Sequence, residues 1–170
     1  MITNEMEENY ISIINPILDN DNFSKLKDIK HHNINRLEHS LKVSYYSYKI
    51  AKFLKLDYED VARAGLLHDF YLEQVSEQNN IKNKVLLFTT QHPNEALDNS
   101  LKYFELTDKE QDIIKSHMFP VDVKVPKYAE SWIVSIVDKC VSTVEFKNKF
   151  KTQLSYSANL FIIFMLNFIR

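Results

Sequence analysis

The sequence predicts an all-α fold of about six to eight helices. Its 170 residues include one glycine and four prolines, so the residues that sheet proteins need at their turns are scarce. Lysine, glutamate, leucine and isoleucine are abundant, and apart from isoleucine these are good helix formers. Apolar residues also recur at helical spacing between capping residues, which allows successive helices to be placed along the chain.

Three helix starts are predicted from capping residues. Asn35 is followed three residues later by Glu38, and Thr107 by Glu110, which is the pattern of a capping box. Asp57 is the expected cap of a helix that begins at the next residue. These caps predict helices over about 36–54, 58–68 and 108–117.

Other boundaries are predicted from proline and from polarity. A first amphipathic helix over 8–18 should break or kink at Pro16, and His92-Pro93 should begin a new helix after a polar loop at 73–83. A long helix is expected over about 128–146. A separate apolar helix should follow over about 152–169.

Composition indicates a single domain over 1–170. The formal net charge of −2 gives no reason to expect nucleic acid or an anionic membrane as a partner. Cys140 is the single cysteine, which fits a reducing compartment, and the acidic start Met1–Glu8 does not have the pattern of a signal peptide. We therefore expect a cytoplasmic protein.

The most apolar stretch of the chain is Leu160–Ile169. It is too short for a membrane span, which needs about 20 such residues. Two alternatives remain: a terminal helix or strand that packs on the core of its own chain, or a contact between the two copies of a homodimer.

Four histidines and two aspartates stand out as candidate metal ligands. Neutral imidazoles and carboxylates bind divalent metals near neutral pH, and the chain presents them at intervals of roughly twenty to thirty residues. Each lies near a helix end or inside an apolar run. In chain order they are His39, His68, Asp69, His92, His117 and Asp138.

The two aspartates give the physical reason for expecting a metal. Asp138 lies inside the apolar stretch 131–141, and Asp69 follows the apolar run 64–67. An unpaired carboxylate in the core costs several kcal/mol. Lys139 follows Asp138 directly, but adjacent helical residues do not face each other. A metal ion is the better compensation, although hydrogen bonds alone remain the alternative.

These residues, in the contexts Arg36-Leu-Glu-His39 and Ala64-Gly-Leu-Leu-His-Asp69, resemble the HD superfamily of metal-dependent phosphohydrolases. The resemblance implies a helical bundle with a motif-bearing core at about 33–141. It also implies that His39, His68, Asp69 and Asp138 hold one metal ion. As in two-metal members, His92 and His117 would hold a second ion, with Asp69 bridging both.

The sequence departs from the family pattern after the His-Asp pair. Many members continue with isoleucine, glycine and a lysine that assists at the phosphate, whereas here Phe70-Tyr-Leu-Glu73 follows. The Gly-Tyr-Pro signature of cyclic-dinucleotide phosphodiesterases is absent, so that subfamily is disfavoured. Arg36, one helical turn before His39, is the candidate phosphate-binding cation in place of the lysine.

The resemblance implies hydrolysis of a phosphate ester, a mono- or diester of a nucleotide or small metabolite, by a metal-activated water. Histidine and carboxylate ligands favour iron, manganese or zinc over magnesium. The candidate catalytic residues are Asp69, His68, Arg36 and His32, the last as a proton donor to the leaving group or as an exposed loop residue. Lys139 is expected to point to solvent.

Two other function classes share the same residues. Some two-metal HD proteins use a di-iron centre with oxygen, and others have kept the fold as non-catalytic sensors or scaffolds. The complete set of six ligands argues against a scaffold. Metal analysis and activity measured with and without oxygen separate the hydrolase from the di-iron oxygenase.

Overall fold

The computed structural model describes residues 7–31, 34–72 and 81–168. It does not describe the side chains of residues 30, 31, 34, 81–89 and 149–168. Within these ranges the chain is all-α apart from one hairpin, whose two strands have two residues each. The predicted fold class is confirmed. The helices are α1 (Glu8–Leu18), α2 (Asp21–Ser24), α3 (Arg36–Phe53), α4 (Tyr58–Leu67), α5 (Ile81–Tyr103), α6 (Asp108–Ser116) and α7 (Ala129–Phe168). A 3₁₀ turn covers Lys25–Asp28, and β1 (Lys30–His31) pairs antiparallel with β2 (Ile34–Asn35).

All three predicted N-caps are present, but of the two predicted capping boxes only the one at Thr107 is complete. The Asn35 side chain accepts the backbone N–H of Glu38 at 2.8 Å, and α3 begins at the next residue. Asp57 caps α4 through the N–H of Asp60. At the start of α6 the Thr107 hydroxyl accepts the Glu110 N–H while the Glu110 carboxylate accepts the Thr107 N–H, which completes the capping box.

The helices are more continuous than the prolines predict. α1 continues through Pro16 to Leu18, and α5 continues through Pro93, so the helix start predicted at His92 is wrong. A proline removes only one hydrogen bond of the ladder. Near Pro93 the Asn94 side chain donates to the carbonyl of Thr90 at 2.9 Å, and the buried proline packs in the interior.

The two helices predicted at the C-terminal end are also one. α7 runs unbroken for 40 residues, and no glycine or proline interrupts it. The segment 73–80 of the predicted loop lies outside the described residues, and α5 begins at Ile81, inside the predicted loop.

α3 and α4 pack closely against each other at the single glycine of the chain. A Cβ on Gly65 would lie 3.1 Å from the Ser44 Cα, so a side chain there would press on the α3 backbone. The Ser44 hydroxyl donates to the Ala62 carbonyl at 2.6 Å and accepts from the Tyr10 hydroxyl at 2.8 Å. These contacts attach α1 and α3 to α4, the helix that leads into His68.

The core lies between these helices. α1 and α6 both pack on α4, and α7 packs on α3 and α6. Its fully buried large side chains are Tyr10, Tyr48, Tyr71, Phe23, Phe70, Ile14, Ile17, Leu26, Leu66, Leu67, Ile113 and Ile114. None of the helices, as far as the structure describes them, has the length and apolar character of a membrane span.

The C-terminal end of α3 offers a test of the backbone. Lys55 has a φ of 57°, and the N–H groups of Lys55 and Leu56 bond to the carbonyls of Lys52 and Ala51, the pattern of a Schellman motif. Glycine adopts this left-handed conformation without the strain that a Cβ causes. We predict that Lys55→Gly raises the free energy of unfolding by about 1 kcal/mol in urea titrations.

Lys55→Ala is the matched control, because it removes the charged side chain and keeps the Cβ. Its stability should remain close to that of the wild type. Equal stabilisation by both variants would show that the lysine charge, rather than the backbone conformation, limits stability at this position.

Candidate metal centre

The six candidate ligands come from five helices and meet in the interior. His39 lies in the first turns of α3, His68 and Asp69 follow the end of α4, and His92 lies in the middle of α5. His117 follows the end of α6, and Asp138 lies on α7. All six are at most 7% exposed. The structure therefore brings together every residue that the sequence predicts as a metal ligand.

The first group of ligands surrounds the Nε2 atom of His68. His39, His68 and Asp69 place one donor atom each within 4.8 Å of one another. The Asp138 carboxylate joins them: its Oδ1 lies 3.1 Å from His39 Nε2 and 3.8 Å from His68 Nε2. Two imidazoles and two carboxylates thus converge on one point.

The second group shares Asp69 with the first. The Oδ1 atom of Asp69 lies 3.6 Å from His92 Nε2 and 3.8 Å from His117 Nε2, whereas its Oδ2 lies 3.9 Å from His68 Nε2. The two oxygens of one carboxylate therefore face two different sets of nitrogens. Asp69 thus belongs to both groups of residues that could hold a metal ion.

Three of the histidines are oriented through their other ring nitrogen. The Nδ1 atoms of His68 and His117 lie 2.8 Å and 2.7 Å from the carbonyls of Gly65 and Ile114, three residues earlier in each case. A carbonyl can only accept, so Nδ1 carries the proton and the Nε2 lone pair faces the centre. The Nδ1 of His39 lies 2.9 Å from the Glu145 carboxylate, so it too carries a proton and the orientation of the ring is fixed.

Two observations show that these residues fit a metal ion. His68 Nε2 is buried and has no hydrogen-bond partner, an expensive state for a polar atom unless a ligand occupies the space before it. His92 Nε2 and His117 Nε2 lie 3.0 Å apart. Nitrogens that bind one ion at about 2.1 Å lie about 3 Å apart, so this spacing suits a shared ion.

The comparison with known families agrees with this geometry. The family model of the HD domain matches residues 36–142, which is more than half of the chain and includes all six ligands. The chain belongs to the HD domain family. Membership places it in the superfamily of metal-dependent phosphohydrolases and confirms the resemblance in its sequence. No curated protein and no solved structure matches the chain.

Electrostatics in this HD domain favour ligands in the forms that bind metal. Burial would raise the pKa of Asp69, but His68, His92 and His117 hold it well below its usual range. Burial, with His68 and His92 nearby, lowers the pKa of His117 to about 3, so that imidazole is neutral.

His39 is the exception. Burial alone would lower its pKa, but Asp138 and Glu145 accept its hydrogen bonds and raise the pKa to about 10. Without a metal its ring carries both protons. An ion at Nε2 has to replace one of them, so metal binding at this residue releases a proton.

Arg36 is buried and does not pair with Glu38. One of its terminal nitrogens donates to the Tyr71 carbonyl, and its guanidinium lies 3.5 Å from the centre of the Tyr71 ring. That ring is 5.2 Å from the His92 ring. Among the described residues no carboxylate lies within ion-pair distance of Arg36, and its Nε has no hydrogen-bond partner.

Two candidate residues remain, Lys139 and His32. The expectation that Lys139 points to solvent is wrong: its Nζ donates to the His117 carbonyl at 2.7 Å and to the Ser135 carbonyl at 3.1 Å. The carbonyls at a helix end lack helical partners and attract a cation, which explains the contact. His32 lies outside the described residues.

Glu145 is the residue of the centre that the sequence analysis missed. It is 6% exposed and holds His39 Nδ1, although the two residues are 106 positions apart. Lys42 lies 3.3 Å from its other oxygen. The available signal was its position seven residues after Asp138, two helical turns along α7 and on nearly the same face.

We predict that Glu145→Ala weakens metal binding about 10- to 100-fold, as loss of a partner that orients a ligand does. Competition with a chelating dye measures the affinity. Glu38→Ala is the matched control, because Glu38 also pairs with Lys42, at 3.0 Å, whereas Glu145 is the carboxylate that binds His39 Nδ1. Equal losses in both variants would mean that Lys42, not the orientation of His39, is what matters.

Proposed function

We propose that this HD domain hydrolyses a phosphate ester of a nucleotide or another small phosphorylated metabolite, with two divalent ions held by its six ligands. The observation that carries the proposal is the Asp69 carboxylate, whose two oxygens face separate sets of imidazoles. When bound, a pair of ions lowers the pKa of a shared water towards neutrality and neutralises phosphoryl oxygens. Iron, manganese or zinc suits the mixed histidine and carboxylate ligands.

The protein's own part is to hold these ligands in one geometry. His68 and His117 are locked by backbone carbonyls, and His39 is locked by Glu145. Burial excludes water from the ligands, which strengthens every electrostatic interaction with a charged substrate. No side chain is required as the attacking group.

Arg36 is the proposed phosphate-binding residue. Its charge is buried without a carboxylate partner among the described residues, and the Tyr71 ring on which it lies is itself 5.2 Å from the His92 ring. A buried guanidinium of this kind is suited to an anion, because it presents several N–H groups in a fixed plane. His32 remains the proposed proton donor to the leaving group, on the sequence alone.

The first test is metal content. Asp69→Ala should lose both ions and melt at a lower temperature, since a bound ion stabilises the native state by mass action. His92→Ala should keep about one ion per chain. Asp98→Ala changes an exposed aspartate and should keep both. Elemental analysis of the purified proteins gives the counts, and full occupancy in Asp69→Ala would sink the proposal.

Activity is tested on the same proteins. The metal-loaded wild type should release phosphate from one class among phosphomonoesters, nucleotides and cyclic nucleotides, and both ligand variants should be nearly inactive. The assay is run with and without oxygen. Turnover that requires oxygen would replace the hydrolase with a di-iron oxygenase, and a fully loaded protein inactive on every ester would favour a non-catalytic role.

Arg36→Lys tests the phosphate-binding residue. Lysine keeps the charge but cannot form two parallel hydrogen bonds, so kcat/KM for the ester should fall about 10- to 100-fold, which corresponds to about 1.5–3 kcal/mol. Metal content should not change. If metal content falls together with activity, Arg36 holds the segment after Asp69 in place and does not bind the substrate.

A further inference from the structure

An apolar face remains open on the side of α3 and α7 away from the rest of the core. On α3 it includes Tyr46 and Ile50, which are 53% and 41% exposed. On α7 it includes Ile136 and Val144, each 56% exposed. Within each helix the residues are four or eight positions apart and so share one face. Surface helices normally place polar residues on the outward face.

A groove runs between these two rows of side chains. It has a volume of about 630 Å³, and Val137, Cys140 and Val141 form the rest of its apolar lining. Lys42, Glu145 and Asn148 provide its polar edge. We call it the α3/α7 groove. Because Glu145 holds His39, one wall of the groove is also the support of the metal centre.

The same chain carries a segment suited to this groove. α7 continues for 20 residues beyond Asn148, and its last described turns carry residues 160–168 of the apolar run. A helix of 40 residues is about 60 Å long, roughly twice the diameter of a small domain. A continuous helix cannot fold back, so the end of α7 cannot reach the groove of its own chain.

We propose that a second copy of the chain covers the α3/α7 groove. The two α7 helices lie antiparallel around a two-fold axis near residue 150, and each places its run Leu160–Ile169 in the groove of the other. Such an arrangement is self-complementary, because every contact occurs twice. Ile162 of one copy lies beside Cys140 of its partner in this register.

The areas agree with a stable dimer. The exposed parts of Tyr46, Ile50, Ile136 and Val144 amount to roughly 400 Å² per copy, judged from the area of such side chains. In the proposed dimer the nine apolar residues of the run Leu160–Ile169 would supply the remaining area. A stable interface needs roughly 800 Å² from each partner.

The test is the oligomeric state of the full chain, measured by light scattering with size-exclusion chromatography. The wild type should be a dimer, and Ile136→Asp and Ile162→Asp should each be monomeric with unchanged circular dichroism. Val123→Asp is the matched control, because Val123 is 88% exposed but lies outside the groove. It should remain a dimer.

A covalent test follows from the register. Ile162→Cys should form a dimer linked to Cys140 of the partner under a mild oxidant, whereas Val123→Cys should not. A monomeric wild type, or a dimer that survives either aspartate substitution in the groove or the run, would overturn the proposal. The proposal does not depend on the proposed hydrolase activity, since the test measures only the molecular mass of each variant in solution.

Discussion

The structure depends on six polar side chains that meet in one region of the interior. Four imidazoles and two carboxylates are buried among five helices, and each would be costly there without a partner. Asp69 connects the group, because its carboxylate faces histidines from three helices. Removing any one ligand leaves the others with unmatched charge or unpaired nitrogens. The packing of α3 to α7 therefore has one arrangement in which these groups are compensated.

Two ligands are oriented by the ends of their own helices. The last carbonyls of a helix lack partners within the helix. His68 and His117 each follow the last residue of a helix and place Nδ1 against the carbonyl three residues earlier. One hydrogen bond thus satisfies an orphan carbonyl and selects the tautomer whose Nε2 can bind metal. The repetition at α4 and α6 gives both groups of ligands a rigid histidine that no distant side chain has to position.

α7 connects the metal centre to the outside of the molecule. Asp138 is a candidate ligand on this helix, Lys139 binds the carbonyl that follows α6, and Glu145 holds His39. Other residues of the same helical turns, among them Val137 and Val141, line the α3/α7 groove together with Glu145. A helix that moved at this surface would carry both a ligand and the support of another ligand. The contact between copies that we propose would therefore act on the centre through one rigid element.

The sequence by itself determined the helical class, three helix starts and the six candidate ligands. Each of these depends on local chemistry: a cap bonds a backbone group two or three residues away, and imidazole or carboxylate side chains are recognisable wherever they lie. Their convergence was predictable only through the resemblance to a family. The helix starts at Asn35, Asp57 and Thr107 followed from short-range hydrogen bonds.

Only the tertiary structure decided the features that depend on residues far apart in sequence. α5 remains helical through Pro93 because the surrounding packing outweighs one lost hydrogen bond. Arg36 turns inward because Tyr71 offers a carbonyl and a ring, and Glu145 meets His39 across 106 residues. Local propensity contains no information about such partners, since a side chain's neighbours in space are set by how the helices pack.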